Sequence, residues 1–171
     1  MFEVLVFVYE NYWRGDACPE SEYLQRKLRA VGFDDDEIQE ALTWLNGLSL
    51  AAHHTQHPAA ATGEALASAA PGVPMMLALP ARTSMRVYST QEQDHLGADC
   101  LGFISFLENL GVLPAHMREV VVDRAMAVPE SPVSVDDLKI IVLMVYWSFG
   151  EEPDALVLDE LCEDSAERVA H

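Results

Sequence analysis

The sequence predicts an all-α or nearly all-α fold, in two helical lobes joined by a flexible Ala/Pro-rich linker. Three observations predict it. Apolar residues recur at three- and four-residue spacings along most of the chain, which lays them on one face of a helix. Serine, threonine or aspartate stands before several of these runs, and glycine or proline after them, where helices start and stop. Strand-like alternation is confined to Ser84-Met85-Arg86-Val87-Tyr88, which allows at most one short extended segment near residues 84–88.

Phe2 to Trp13, FEVLVFVYENYW, is the first apolar segment. Its β-branched and aromatic residues would suit a strand, but Leu5, Val8, Tyr9 and Tyr12 also fall at helical spacing. A run of about 12 residues exceeds most strands, so a helix is expected. Pro19-Glu20-Ser21-Glu22 starts a second helix, with Leu24, Leu28 and Val31 on one face and Gly32 as its stop. Phe33 follows as an apolar plug. Asp34 is placed to cap a third helix, with Asp36 and Glu37 at the positive end of its dipole. Ile38, Ala41, Leu42 and Leu45 form the stripe that this helix buries.

His53 to Pro80 changes character: it holds Pro58, Pro71, Pro74 and Pro80, many alanines, and Glu64 as its one carboxylate. With no periodic apolar face it reads as a mobile linker. Thr90-Gln91-Glu92-Gln93 then reads as a capping box with Thr90 at the cap. It opens a helix carrying Leu96, Cys100, Phe103, Ile104, Leu107 and Leu110, stopped by Gly111. Pro114 starts another helix, where the missing proline N–H costs nothing. Met117, Val120, Val121, Arg124 and Ala125 lie on or beside its inner face. Ser134 caps a helix with Asp136 and Asp137 in its first turn, stopped by Gly150. Leu138 to Phe149 is apolar nearly all round, so this helix belongs at the centre of the core, with Leu143 near its middle. A shorter helix over 153–162 precedes a tail rich in acids. The expected organisation is a helical hairpin or three-helix lobe over 1–52, the linker over 53–80, a helical lobe over 81–163 and an acidic tail over 164–171.

Charge narrows the function. Twenty-eight acids stand against ten bases, a formal net of −18. Duplex phosphates and anionic lipid would be repelled, whereas a basic protein would be attracted. No apolar run approaches the roughly 20 residues of a membrane span, and no early Lys or Arg marks a signal peptide. Cys18, Cys100 and Cys162 are too scattered for a disulfide framework or a zinc site, which fits a reducing cytoplasm.

Chemistry-bearing motifs are absent. There is no phosphate-cradling glycine loop, nucleophile elbow or H-E-x-x-H, so no catalytic residue, cofactor site or metal site is assigned and no enzyme activity is expected. His53-His54-x-x-His57 lies in the linker without rigid support, and a solvated patch outweighs a metal site there. Asp34-Asp35-Asp36-Glu37 lacks the alternation and glycine of a calcium loop and reads as a solvated helix start. Two helices joined at Gly32-Phe33-Asp34 have a helix-turn-helix outline. Acids would face the phosphates there instead of the Arg, Lys, Asn or Gln of a recognition helix, so direct nucleic-acid binding is the lesser alternative. Tyr9, Tyr12, Trp13 and Trp44 read either as an exposed aromatic anchor or as packing between the first and third helices. The candidate interaction surface is Tyr12, Trp13 and Trp44 with Asp34, Asp35 and Asp36.

An ordered series of segments resembles the bacterial Smg proteins, a family of unknown function. It runs through Met1-Phe2-Glu3-Val4-Leu5, Ala30-Val31-Gly32-Phe33-Asp34, Ile38 and Ala41-Leu42-x-Trp44-Leu45. In the second half it continues with Met85-Arg86-Val87-Tyr88, Glu92, Gly102-Phe103, Phe106-Leu107-Glu108, Arg118-Glu119-Val120-Val121, Asp136-Asp137-Leu138-Lys139 and Val142-Leu143-Met144-Val145. The resemblance implies a bacterial cytosolic protein and supplies no catalytic residues. Genes of the family often lie near DNA-processing and topoisomerase genes, which implies a link to DNA metabolism. The expected function is a non-enzymatic protein-interaction or regulatory module whose partner is an unidentified protein, such as a basic protein of DNA metabolism.

Overall fold

A computed structural model describes residues 1–12, 21–56, 86–151 and 153. Among the described residues there are six helices and no strand: α1 (Phe2–Asn11), α2 (Ser21–Val31), α3 (Asp35–Gln56), α4 (Thr90–Asn109), α5 (Ala115–Met126) and α6 (Val135–Phe149). Residues 86–89 form an extended lead-in with no ladder partner. Trp13, the linker from residue 57, His57 and the 164–171 tail lie outside the described residues.

The first helix follows from its spacing. Val4, Leu5 and Val8 are fully buried, and Phe7 meets the Phe33 ring edge-on at 5.7 Å. α2 buries Leu24 and Leu28, but Val31, expected on the same stripe, is 54 % exposed. The helix ends there: Gly32 takes φ +112°, and the Phe33 N–H bonds back to the Leu28 carbonyl at 3.3 Å. That turn carries Phe33 inward and leaves Val31 outside.

α3 overruns the expected linker boundary. Trp44, Leu48 and Ala52 are all buried at four-residue steps, so packing carries the helix through His53 and His54 to Gln56.

α4 starts one residue earlier than its sequence suggests. Ser89, not Thr90, is the cap: its Oγ accepts from the Glu92 N–H, and the Ser89 N–H donates to the Glu92 carboxylate at 2.7 Å. A charged acceptor makes the stronger half of such a box. Gly97, at φ +73° and ψ 168°, breaks the helix within its span. The His95 carbonyl accepts the Val133 N–H at 2.9 Å, and the Cys100 thiol donates to the Val133 carbonyl. The 127–134 connection is thereby tied to α4 at its break.

α6 is central, as its nearly uniform apolarity requires. It packs against α1, α3, α4 and α5. Ile141, Val142, Met144 and Val145 are fully buried, while Leu143 is only partly buried. Ser134 caps the helix through the Asp137 N–H, and Gly150 closes it in the left-handed conformation. The helices before and after the linker thus share one apolar core, which includes Leu5, Ile38 and Leu48 together with Leu107, Met117 and Ile141.

Candidate functional site

The residues expected at an interaction surface separate in the fold. Asp34, Asp35 and Asp36 stay exposed at the start of α3. Arg29 pairs with Asp35 across the Gly32 turn, but both side chains are at least half exposed, so the pair contributes little. Tyr12 is half-buried, with the Lys27 ammonium 4.8 Å from its ring centre. Its carbonyl accepts the Trp147 indole N–H, which ties the end of α1 to α6. Trp44 is 4 % exposed, and its indole donates to the Arg124 carbonyl at 3.0 Å. A buried indole with its N–H satisfied is a packing residue. Trp44 therefore joins α3 to α5 and is not an exposed anchor.

A chain of ion pairs that the spacing did not reveal joins the lead-in, α4 and α5. Arg86 donates to Glu92 at 2.8 Å and to both Glu119 oxygens at 2.9 and 3.0 Å. Arg118 donates to Glu119 at 2.7 and 3.0 Å and pairs with Glu108. Arg86 also lies over the Tyr88 ring, 4.5 Å from its centre. The Arg86 hydrogen bond, followed by the Ser89 backbone bond, holds the Glu92 carboxyl below the ordinary range. Burial first, and the charge of Glu108 second, push the Tyr88 phenol up. Burial would lower the two guanidiniums; their carboxylate partners outweigh it and raise them. All six residues belong to the segments that carry the Smg resemblance, which was the one signal the sequence offered for them.

Glu119 also belongs to a second feature, a groove of about 410 Å³ between α3 and α5. Gly47 makes the close approach possible: a Cβ there would lie 1.9 Å from Arg124 Nη1. Arg124 is turned back onto Asp123, with bonds of 2.9 and 2.7 Å. Leu50, Ala51 and Val120 supply apolar wall, and Leu50 is 56 % exposed. A glycine inside a long helical pattern, at a cost of about 1 kcal/mol against alanine, was the sequence signal for this contact.

One distribution governs the electrostatics of this face. The Arg86, Arg118 and Arg124 side chains are 18 %, 12 % and 15 % exposed, whereas Glu119 and Asp123 are 49 % and 58 % exposed. On α5 the two arginines lie beneath and the Glu119 and Asp123 carboxylates lie outside. A separate apolar stripe runs along α4, where Phe103 stacks on Phe106 and both Phe106 and Leu110 are exposed. Among the described residues, no three His, Cys, Asp or Glu side chains gather closely enough to hold a metal ion, and no helix is long and apolar enough to cross a membrane.

The family described as "Protein of unknown function (DUF494)" matches the chain over residues 1–171. The chain is 54 % identical to the "Protein Smg homolog" of Methylibium petroleiphilum over 171 residues, covering 100 % of both chains. It is 53 % identical to that of Leptothrix cholodnii and 43 % identical to that of Bordetella pertussis, again across the whole of each. No solved structure matches it.

Proposed function

We propose, for a chain that belongs to the DUF494 family of Smg homologues, that it is a non-enzymatic interaction module binding a basic protein partner in the cytoplasm. The observation that supports this reading is the placing of charge on α5: arginines tucked beneath, glutamate and aspartate half exposed above them. A net −18 chain that turns its carboxylates outward repels phosphate and attracts ammonium and guanidinium groups. A basic protein of DNA metabolism meets that requirement without contact between this chain and DNA. The helix-turn-helix alternative would set exposed Asp34, Asp35 and Asp36 against the phosphate backbone.

The test is a salt titration of duplex DNA binding by the purified protein, run beside affinity capture from its own cytosol at low and moderate salt. The expected result is no DNA binding near physiological salt, and capture of basic proteins that weakens as salt rises. Attraction screened over about 8 Å must act at contact. Micromolar DNA binding at about 150 mM salt, weakened by replacing Arg26 and Lys27, would overturn the reading and favour the nucleic-acid alternative.

A further inference from the structure

We infer that the α3–α5 groove is the docking site for one amphipathic basic helix, seated with an apolar side chain against Leu50 and a Lys or Arg on Asp123 and Glu119. The inference rests on the interaction-module reading and deepens it by naming the site and the occupant.

Shape, wall chemistry and charge converge on that occupant. The groove's volume, about 410 Å³, lies within the range of about 300–1,000 Å³ in which side chains and small ligands are held. Leu50 projects from α3 with more than half its surface exposed, although Leu48, two residues before it, is buried. Ala51 and Val120 extend the apolar wall, and the Arg124 side chain lies across the floor at Gly47. This arrangement suits the apolar face of a helix, which delivers side chains at three- and four-residue steps.

Charge fixes the sign of the partner. Glu119 and Asp123 lie four residues apart on α5, one turn of helix, and both carboxylates are about half exposed. Arg86 bonds both Glu119 oxygens and Arg118 bonds one of them, whereas Arg124 bonds only Oδ2 of Asp123, so Asp123 offers the less engaged carboxylate to a further donor. The Arg124 guanidinium is spent on Asp123 and lies against the α3 backbone at Gly47. An incoming acidic group would meet carboxylates first. A second copy of this chain would bring another net −18 against the first, so self-association through this face is disfavoured.

The probe is a synthetic helical peptide of about 15 residues, with leucine on one face and lysine on the other, compared with its glutamate counterpart. Binding is followed by the indole N–H resonance of Trp44, assigned with the Trp44→Phe variant. That N–H donates to the carbonyl of Arg124, so it reports on the groove wall. The basic peptide is expected to bind with micromolar affinity and shift this resonance, and the acidic one to bind at least tenfold more weakly. Leu50→Asp, or the milder Leu50→Ser, should weaken the basic peptide by about tenfold or more. Asp123→Lys should do the same while strengthening the acidic peptide, a charge swap that unfolding cannot imitate.

Basic-peptide binding that ignores Leu50 and Asp123 but is lost with Phe106→Ser would overturn the groove assignment and leave the interaction reading standing, with the α4 stripe as its site. Equal binding of both peptides would refute the charge argument. Absence of any peptide binding would refute the inference. The interaction reading itself falls only to the DNA titration and capture experiment. Dimerisation at micromolar protein concentration, abolished by Leu50→Asp, would assign the groove to a second copy and overturn the inference.

Discussion

Replacing Ile141 with alanine should destabilise the whole protein through one transition. Ile141 is fully buried in α6, the helix that packs against α1, α3, α4 and α5. Removing three carbons from such a site costs the lost transfer free energy plus a cavity, about 2–5 kcal/mol. For a chain of this length each kcal/mol lowers the melting temperature by about 2–4 °C, so a fall of about 10 °C is expected. Leu143→Ala, two residues away, removes a side chain that is only partly buried. Its cost should be about 1 kcal/mol, since burial of a whole leucine is worth about 1.5–3 kcal/mol. Thermal unfolding by circular dichroism measures both. The Trp44 indole resonance supplies a local reporter in the N-terminal half. Because α3 and α6 share one core, that resonance should be lost at the same temperature as the global helical signal. Equal costs at positions 141 and 143 would refute the placing of α6. A Trp44 signal that persists after the C-terminal helices melt would refute the shared core.

Three further outcomes follow from the local chemistry. Ser89→Ala removes the cap of α4 and should lower stability by about 1 kcal/mol, measurable as a shift in denaturant midpoint with unchanged slope. Glu92 has a folded-state pKa held below the ordinary 4.5, so its ion pairing adds stability above that value and loses it as pH falls through the depressed one. Glu92→Gln should therefore lower stability at pH 7 and flatten the decline below about pH 4.5; a variant that keeps the full acid limb would contradict this. Burial, helped by Asp99 and Asp137, pushes the Cys100 thiol up to about 11. With Cys18 and Cys162 replaced by serine, the remaining thiol should react with a disulfide reagent at pH 8 roughly a thousandfold more slowly than a fully ionised thiolate. Rapid labelling of the native protein would contradict its burial.

Most helices were legible in the order of residues, because helix formation is decided largely within a few residues. Ser134 and Gly150 bracket α6 where a cap and a left-handed stop belong, and Gly32 turns α2 into α3 as its position suggested. The same local logic erred by one residue at Ser89, where the identity of the better acceptor decided the cap. It also closed α3 too early, because Ala52 is held by packing that composition cannot report. What the side chains do became clear from the packing of distant segments. Trp44 could be an anchor or a core residue until Arg124, 80 residues away, supplied its hydrogen-bond acceptor. Arg86 and Glu119 are separated by 33 residues and meet only because α4 folds back on α5. The groove exists because Gly47 lets Arg124 lie on the α3 backbone. Caps and amphipathic stripes act over about one to two turns of chain, so they can be read locally. Burial and charge pairing depend on which distant segments are brought within a few ångströms, and that is set by how α1, α3, α4 and α5 pack around α6.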